Sequence, residues 1–464
     1  MGCDRAQGTR LLLLLWVAAN GWHISCSAAK DDPKAQELMD AINTGYQPAL
    51  TSWNDAILND TLSNLKLARI LWSSKEPRFQ FTVFTQLTIN RLPTLFNMCT
   101  TFTGPLSAAV FVALVQQPDV PSHRQRLNTG GPAGGGDEQA AAATSRVVVD
   151  QLSAPNAAAL QEAVQLVQSF HDRVDSRPDM CQLDLMLFYE LYDSDQSKLL
   201  YPVNYLRNYA RMQVRTRLLA MIDVDMYVSR TLSEEMAREG RIAHYESLCA
   251  ERRATVLPAF EPTRPGDKGR GMALKITQVT KSELASMHGR NKEAIQFKLR
   301  VFPRGHTPTD YVRWFTESQP YPVSYKRFYE PWFITCDEVM PWYDVDFRGY
   351  GMNKIVLIAS LNYYNYTFWI HPNAWLVHNP HGDTEVRKLV AREASDVNKF
   401  KAKLPPNALY RKLTLLFGKA KRGMMRGTYD PRVDPRMMAV YGKVSWLRPP
   451  PQLKGIPTPE SVFI

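Results

Sequence analysis

Short apolar runs that alternate with helical stretches constrain this chain more than any other feature. FQFTVFTQL (79–87), AAVFVALV (108–115), LDLMLFYEL (183–191) and the run that closes on LLAMI (218–222) each have the length of a strand and are largely apolar. A half-solvated strand would alternate polar and apolar residues, so runs of this kind mark strands buried on both faces. Between them, INRLPTLFNMCTTF (89–102), residues 157–174 and YPVNYLRNYARMQV (201–214) carry helical spacing. Strand, helix, strand, helix, strand predicts an α/β fold with a single, mostly parallel central sheet and flanking helices. The length of 464 residues would by itself suggest about three domains. No internal repeat is visible, and one α/β domain with a C-terminal elaboration fits better.

Both ends and one internal stretch fall outside that pattern. Arg5 and Arg10 precede an apolar core at 11–19, and small residues follow near Ala28 and Ala29. This is the layout of a signal peptide or short signal anchor over 1–29, and it predicts delivery to the secretory lumen, with membrane attachment through the N-terminus if it is retained. Residues 30–75 read as a helical stem, 76–430 as the main domain and 431–464 as a C-terminal extension. Within the main domain, the Gly- and Ala-rich tract at about 118–146 cannot build a core and reads as a disordered insertion.

A hydrophobic fraction of 45% indicates a globular body, and the net charge is +11. Much of that charge lies in KFKAKLPPNALYRKLTLLFGKAKRGMMR (399–426), which reads as a solvated helical face. No zinc-finger spacing or RNP-like motif accompanies it, so nucleic acid is not an expected partner. Beyond the leader stand Cys99, Cys181, Cys249 and Cys336, spaced too widely for a thiolate metal site but able to form two disulfides by three pairings. The sequons at Asn59 and Asn365 fit the same oxidising compartment, although Asn365 lies in a strand-like run that would bury it.

Chemistry enters where the fourth apolar run ends on Asp223-Val224-Asp225. At the end of a strand, residues i and i+2 project to the same side, so the two carboxylates face one point. Paired hard oxygen ligands suit Mg²⁺ or Mn²⁺, and such an ion commonly holds a diphosphate. Sheets of this class also place ligands beyond their carboxyl strand ends.

The helix and turn that surround the triplet make the pattern specific. YPVNYLRNYAR followed by MIDVDM resembles the glycosyltransferase family 49 that holds the LARGE C-terminal domain and the β-1,4-glucuronyltransferase. Further matches follow in that family's order: VLPAFE (256–261), GHTPTDYVRW (305–314), YEPWFI (329–334), YDVDFRGYGMNK (343–354) and HPNAWLVHNPH (371–381). The resemblance spans roughly 79–384 apart from the insertion. It implies a GT-A fold and an inverting, Mn²⁺-dependent transfer from a UDP-sugar in the Golgi lumen. The donor it suggests is UDP-glucuronate and the acceptor a terminal sugar such as xylose, with UDP-N-acetylglucosamine or UDP-xylose as other donors. A non-catalytic sugar-binding relative is the remaining alternative.

The resemblance also assigns residues. Asp223, Asp225 and His378 would hold the metal, with His381 nearby. Asn204, Arg207 and Asn208, on the helix before the triplet, would bind the donor, and Arg91 is a further nucleotide-site candidate. Asp344, Asp346 and Asp310 are the carboxylates available as a base for the acceptor hydroxyl. Trp314, Trp332, Trp342 and Tyr350 are candidates to stack on sugar rings. The chain departs from the family at Met352, where an aromatic is common, and in its Gly/Ala-rich insertion.

Overall fold

The computed structural model describes residues 32–116, 122–126, 145–149 and 151–463. The expected leader at 1–29 and the Gly/Ala-rich stretch at 127–144 lie outside the described residues. The two ends of the insertion do not follow the disordered reading, because Ser122–Arg126 and Ser145–Val149 pair as an antiparallel ladder. Val148 also bridges to Ala49, which joins that ladder to the body.

The four apolar runs stand side by side as parallel strands, in the order Gln182–Tyr192, Pro105–Val115, Phe81–Thr88 and Leu218–Met221. All eleven residues of Gln182–Tyr192 are buried, as burial on both faces requires. The helix Val203–Met212 packs on two of these strands, and Ala154–Asp175 packs on Gln182–Tyr192. Beyond Leu218–Met221 the sheet becomes mixed. Trp332–Cys336 is antiparallel, followed by Arg253–Leu257, Thr367–Ile370 and Tyr321–Val323.

The segment expected as a helical stem contributes helix Pro33–Asn43 but also two strands. Leu50–Thr51 and Lys66–Leu71 both pair with Gln182–Tyr192, so they belong to the ten-stranded sheet. The C-terminal extension returns to the same place, where Trp446 donates its indole N–H to Glu37 at 2.9 Å and meets Trp72 edge-on.

A second sheet of four strands positions the candidate site. It runs Ala294–Gln296, Ala259–Pro262, Leu376–His378 and Met226–Val228. Three segments cross from the main sheet into it: Leu218–Met221 continues to Met226–Val228, Arg253–Leu257 to Ala259–Pro262, and Thr367–Ile370 to Leu376–His378. The Asp-x-Asp triplet lies in the first of these crossings.

The structure selects one cysteine pairing, Cys99–Cys181 and Cys249–Cys336. Asn59 and Asn365 are both exposed. Asn365 is not buried in a strand; it adopts a positive φ of 62° in the turn before Thr367–Ile370. Among the described residues no helix is long and apolar enough to cross a membrane.

One buried ion pair fastens the N-terminal segment to the loop that follows YDVDF. Glu190 is fully buried, and Arg348 donates to it at 2.7 Å. Its carboxylate also accepts from Thr51, Ser63, Tyr192 and the Asn64 amide. Such a charge is tolerated only because every lone pair is used. Removing the cation leaves it uncompensated, so Arg348→Met is expected to cost about 3–5 kcal/mol in urea unfolding. A loss below ~1 kcal/mol would show that the pair is not an anchor.

Candidate active site

The Asp-x-Asp triplet is a turn, not the end of a strand. Leu218–Met221 stops before it, and the amide of Met226 donates to the Asp223 carbonyl at 2.8 Å. Strand alternation therefore does not apply, and the two carboxylates take different partners. Asp223 accepts from Arg207 at 2.8 Å and from the Trp332 indole at 3.1 Å, with the Lys354 ammonium 3.5 Å away. Burial pushes its carboxyl up, but Lys354 and Arg207 outweigh this and hold it below the ordinary range.

Asp225 has other partners. His381 lies 2.7 Å from its carboxylate and Arg91 3.4 Å. Here too the histidine contact and the nearby cations overcome burial and keep the group ionised. His378 joins it through backbone pairing. Leu376–His378 runs antiparallel to Met226–Val228 with His378 opposite Met226, and the Asn379 amide donates to the Asp225 carbonyl at 2.7 Å. One potential ligand atom from each of Asp225, His378 and His381 lies within 4.8 Å of the others. Asp223 is not part of this group.

The tautomers suit a cation. His381 Nδ1 lies 2.7 Å from the Gly382 carbonyl, which can only accept, so Nδ1 carries a proton; Nε2 can then donate to Asp225 only with a proton of its own, and without one its lone pair is available to an ion. The Glu261 carboxylate lies 3.7 Å from His378 Nδ1. One carboxylate and two imidazoles form a mixed oxygen and nitrogen donor set. That set fits Mn²⁺ better than Mg²⁺, which prefers oxygen throughout.

The other predicted residues are placed as follows. Arg91 closes the 3₁₀ turn after Phe81–Thr88, beside the carboxyl end of Leu218–Met221. Arg207 is buried, bound to Asp223 and stacked over Tyr343. Asn204 and Asn208 lie on the same helix, but their amides bind the Asp344 and Tyr343 carbonyls at 2.7 and 2.8 Å. Both hold the 343–344 loop in place.

The three candidate bases are also engaged. Asp310 caps the helix Tyr311–Thr316 by accepting from the Arg313 amide, and it is exposed. Asp346 pairs with Arg432 at 2.8 Å. Asp344 accepts from the Tyr429 hydroxyl and the Asp346 amide, both at 3.1 Å. Gly349 and Gly351 have positive φ, and a Cβ at Gly349 would meet the Leu199 carbonyl at 2.9 Å, so that glycine serves close backbone packing.

Among the aromatics, Trp314 lies in the core and Trp342 carries the Arg211 guanidinium on its ring. Tyr350 packs partly buried against the core. Trp332 does reach the site, but Lys354 lies 3.4 Å from its ring centroid and His306 stacks on it. Lys354, Glu261 and His306 carry no sequence signal beyond their place in the matched motifs.

A family profile described as glycosyl-transferase for dystroglycan matches residues 80–407. The chain is 29% identical over 209 residues to the glycosyltransferase-like protein LARGE of Caenorhabditis elegans, covering 45% of this chain and 31% of that protein. It is 32% identical over 181 residues to the xylosyl- and glucuronyltransferase LARGE1 of Homo sapiens, covering 39% and 22%. To LARGE2 of Mus musculus it is 29% identical over 232 residues, covering 49% and 31%. These matches span less than a third of each relative. Among solved structures, a 1–349 form of S. aureus TarS aligns over 79% of this chain and 80% of its own, at 10% identity and a TM-score of 0.25, a likeness too weak to build on.

Asp344 allows a test of the loop's electrostatics. Burial, with the Asp346 carboxylate nearby, pushes its carboxyl up to about 7. Below pH ~4 it is protonated in both folded and unfolded states and makes no difference to stability. Between pH ~4 and 7 the unfolded chain loses this proton while the folded chain keeps it, so stability falls as pH rises. Asp344→Asn removes that penalty. Its melting temperature relative to wild type is expected to rise from pH 4.5 to pH 8, by an amount worth on the order of 3 kcal/mol. A pH-independent difference would contradict the raised value.

Proposed function

Because this chain belongs to the glycosyl-transferase family described for dystroglycan, we propose that it transfers glucuronate from UDP-glucuronate to a terminal, xylose-like sugar of a glycan, with inversion at the anomeric carbon. The observation that carries this reading is the convergence of Asp225, His378 and His381 beside Arg91, at the carboxyl ends of parallel strands. A Mn²⁺ ion held by those three residues would supply Lewis-acid stabilisation to the diphosphate as it departs. Arg91 adds a guanidinium suited to a phosphate oxygen.

The choice of a uronate donor is supported by the charge around Asp223. Arg207 and Lys354 place a guanidinium and an ammonium beside the partly buried Asp223, and cations of this kind suit a sugar carboxylate. Asp223 itself acts by fixing these cations. The two disulfides and two exposed sequons support a lumenal setting, with the Golgi as the proposed compartment.

The test is UDP release by the purified protein with Mn²⁺, across UDP-glucuronate, UDP-xylose and UDP-N-acetylglucosamine, with xylosides as acceptors. UDP-glucuronate is expected to be the productive donor, and Asp225→Asn to reduce release by about 100-fold or more. Release from another donor would keep the transferase and change its sugar. Mn²⁺-dependent UDP binding with no release from any donor would favour a sugar-binding protein.

A further inference from the structure

With Asp310, Asp344 and Asp346 engaged elsewhere, the reaction still needs a group to take the acceptor proton, and the start of strand Trp332–Cys336 offers one. That strand runs antiparallel to Leu218–Met221, with Ile334 opposite Ala220 and Cys336 opposite Leu218. Glu330 lies two residues before Trp332, the first residue of that strand. Glu330 and Trp332, two residues apart, project to the same side of an extended chain. The Trp332 indole already reaches Asp223 at 3.1 Å, so this side is the one that faces the site.

The surroundings of Glu330 set it apart from the other carboxylates. Its amide donates to the Gly305 carbonyl at 2.9 Å, which fixes its backbone. Among the described residues no hydrogen-bond donor lies on its carboxylate, and the side chain keeps 16% of its surface open. His306 Nε2 lies 3.7 Å from it, a buried ring nitrogen without a hydrogen-bond partner among the described residues. His306 is itself stacked on Trp332 with 8° between the planes, so it forms a rigid wall beside the carboxylate. Lys354, which bridges toward Asp223, also feels the Glu330 charge.

We propose that Glu330 is the general base that accepts the proton of the attacking acceptor hydroxyl, a reading that rests on the glycosyl transfer proposed above. As the acceptor oxygen bonds to the anomeric carbon, the bond from that carbon to the diphosphate oxygen breaks and its electron pair leaves with UDP. The hydroxyl proton passes to the Glu330 carboxylate. His306 is a positioning residue that walls the carboxylate on one side.

The test uses the full chain with Mn²⁺, its productive UDP-sugar, and two acceptors: a sugar hydroxyl and azide, which needs no deprotonation. E330Q is expected to lose about 100-fold or more in transfer to the hydroxyl. Transfer to azide and Mn²⁺-dependent UDP affinity should stay within ~3-fold of wild type, and E330D should retain intermediate hydroxyl transfer. Hydroxyl transfer by E330Q within ~3-fold of wild type overturns the assignment, as does a proportional loss of azide transfer or UDP binding, which would mark a structural role. A wild-type protein that releases no UDP from any donor instead overturns the glycosyl-transfer reading, and the base falls with it.

Discussion

The arrangement depends on one partly buried carboxylate. Asp223 is held by Arg207 from helix Val203–Met212, by the Trp332 indole from an antiparallel strand, and by Lys354 from helix Asn353–Tyr363. Three elements distant in sequence therefore converge on a single side chain. Neither cation tolerates burial without a countercharge; burial pulls the Lys354 ammonium down, and Asp223 and Glu330 offset part of that. Because Asp223 is committed to this role, Asp225 is left to face His378, His381 and Arg91.

The geometry follows from the seam between the two sheets. Each of the three crossing segments leaves the main sheet and re-pairs in the smaller one within a few residues. A chain that changes sheets must turn, and at the turn Asp223–Met226 the two carboxylates take different partners. The return of Leu376–His378 against Met226–Val228 then delivers an imidazole next to Asp225. Strand pairing thus fixes His378 beside the turn that carries Asp225, while His381 comes from the segment that follows the strand.

Much of the core was legible in sequence. The four apolar runs gave parallel strands because burial on both faces leaves an unmistakable pattern. Lys66–Leu71 was harder, since LKLARIL fits helical spacing as well as a short strand, and only its pairing with Gln182–Tyr192 decides between them. The triplet was found, but its geometry was misread. Alternation holds only while the chain stays extended, and aspartate is a residue that favours turns. The carboxylates at 344 and 346 are bound by Tyr429 and Arg432, more than eighty residues downstream, a pairing that no local spacing reveals. Asn204 and Asn208 sit on the expected helix, yet whether an amide faces a ligand or a backbone carbonyl is decided by a loop 140 and 135 residues away.

The two aspartates of the triplet take different partners, and the proposed Mn²⁺ site uses Asp225 alone. The most direct measurement is an anomalous-scattering map at the manganese edge from crystals of the protein grown with Mn²⁺ and UDP. The account predicts one peak coordinated by Asp225, His378 and His381, with Asp223 still bound to Arg207 and Lys354. A peak bridged by both Asp223 and Asp225, with the histidines turned away, would contradict it.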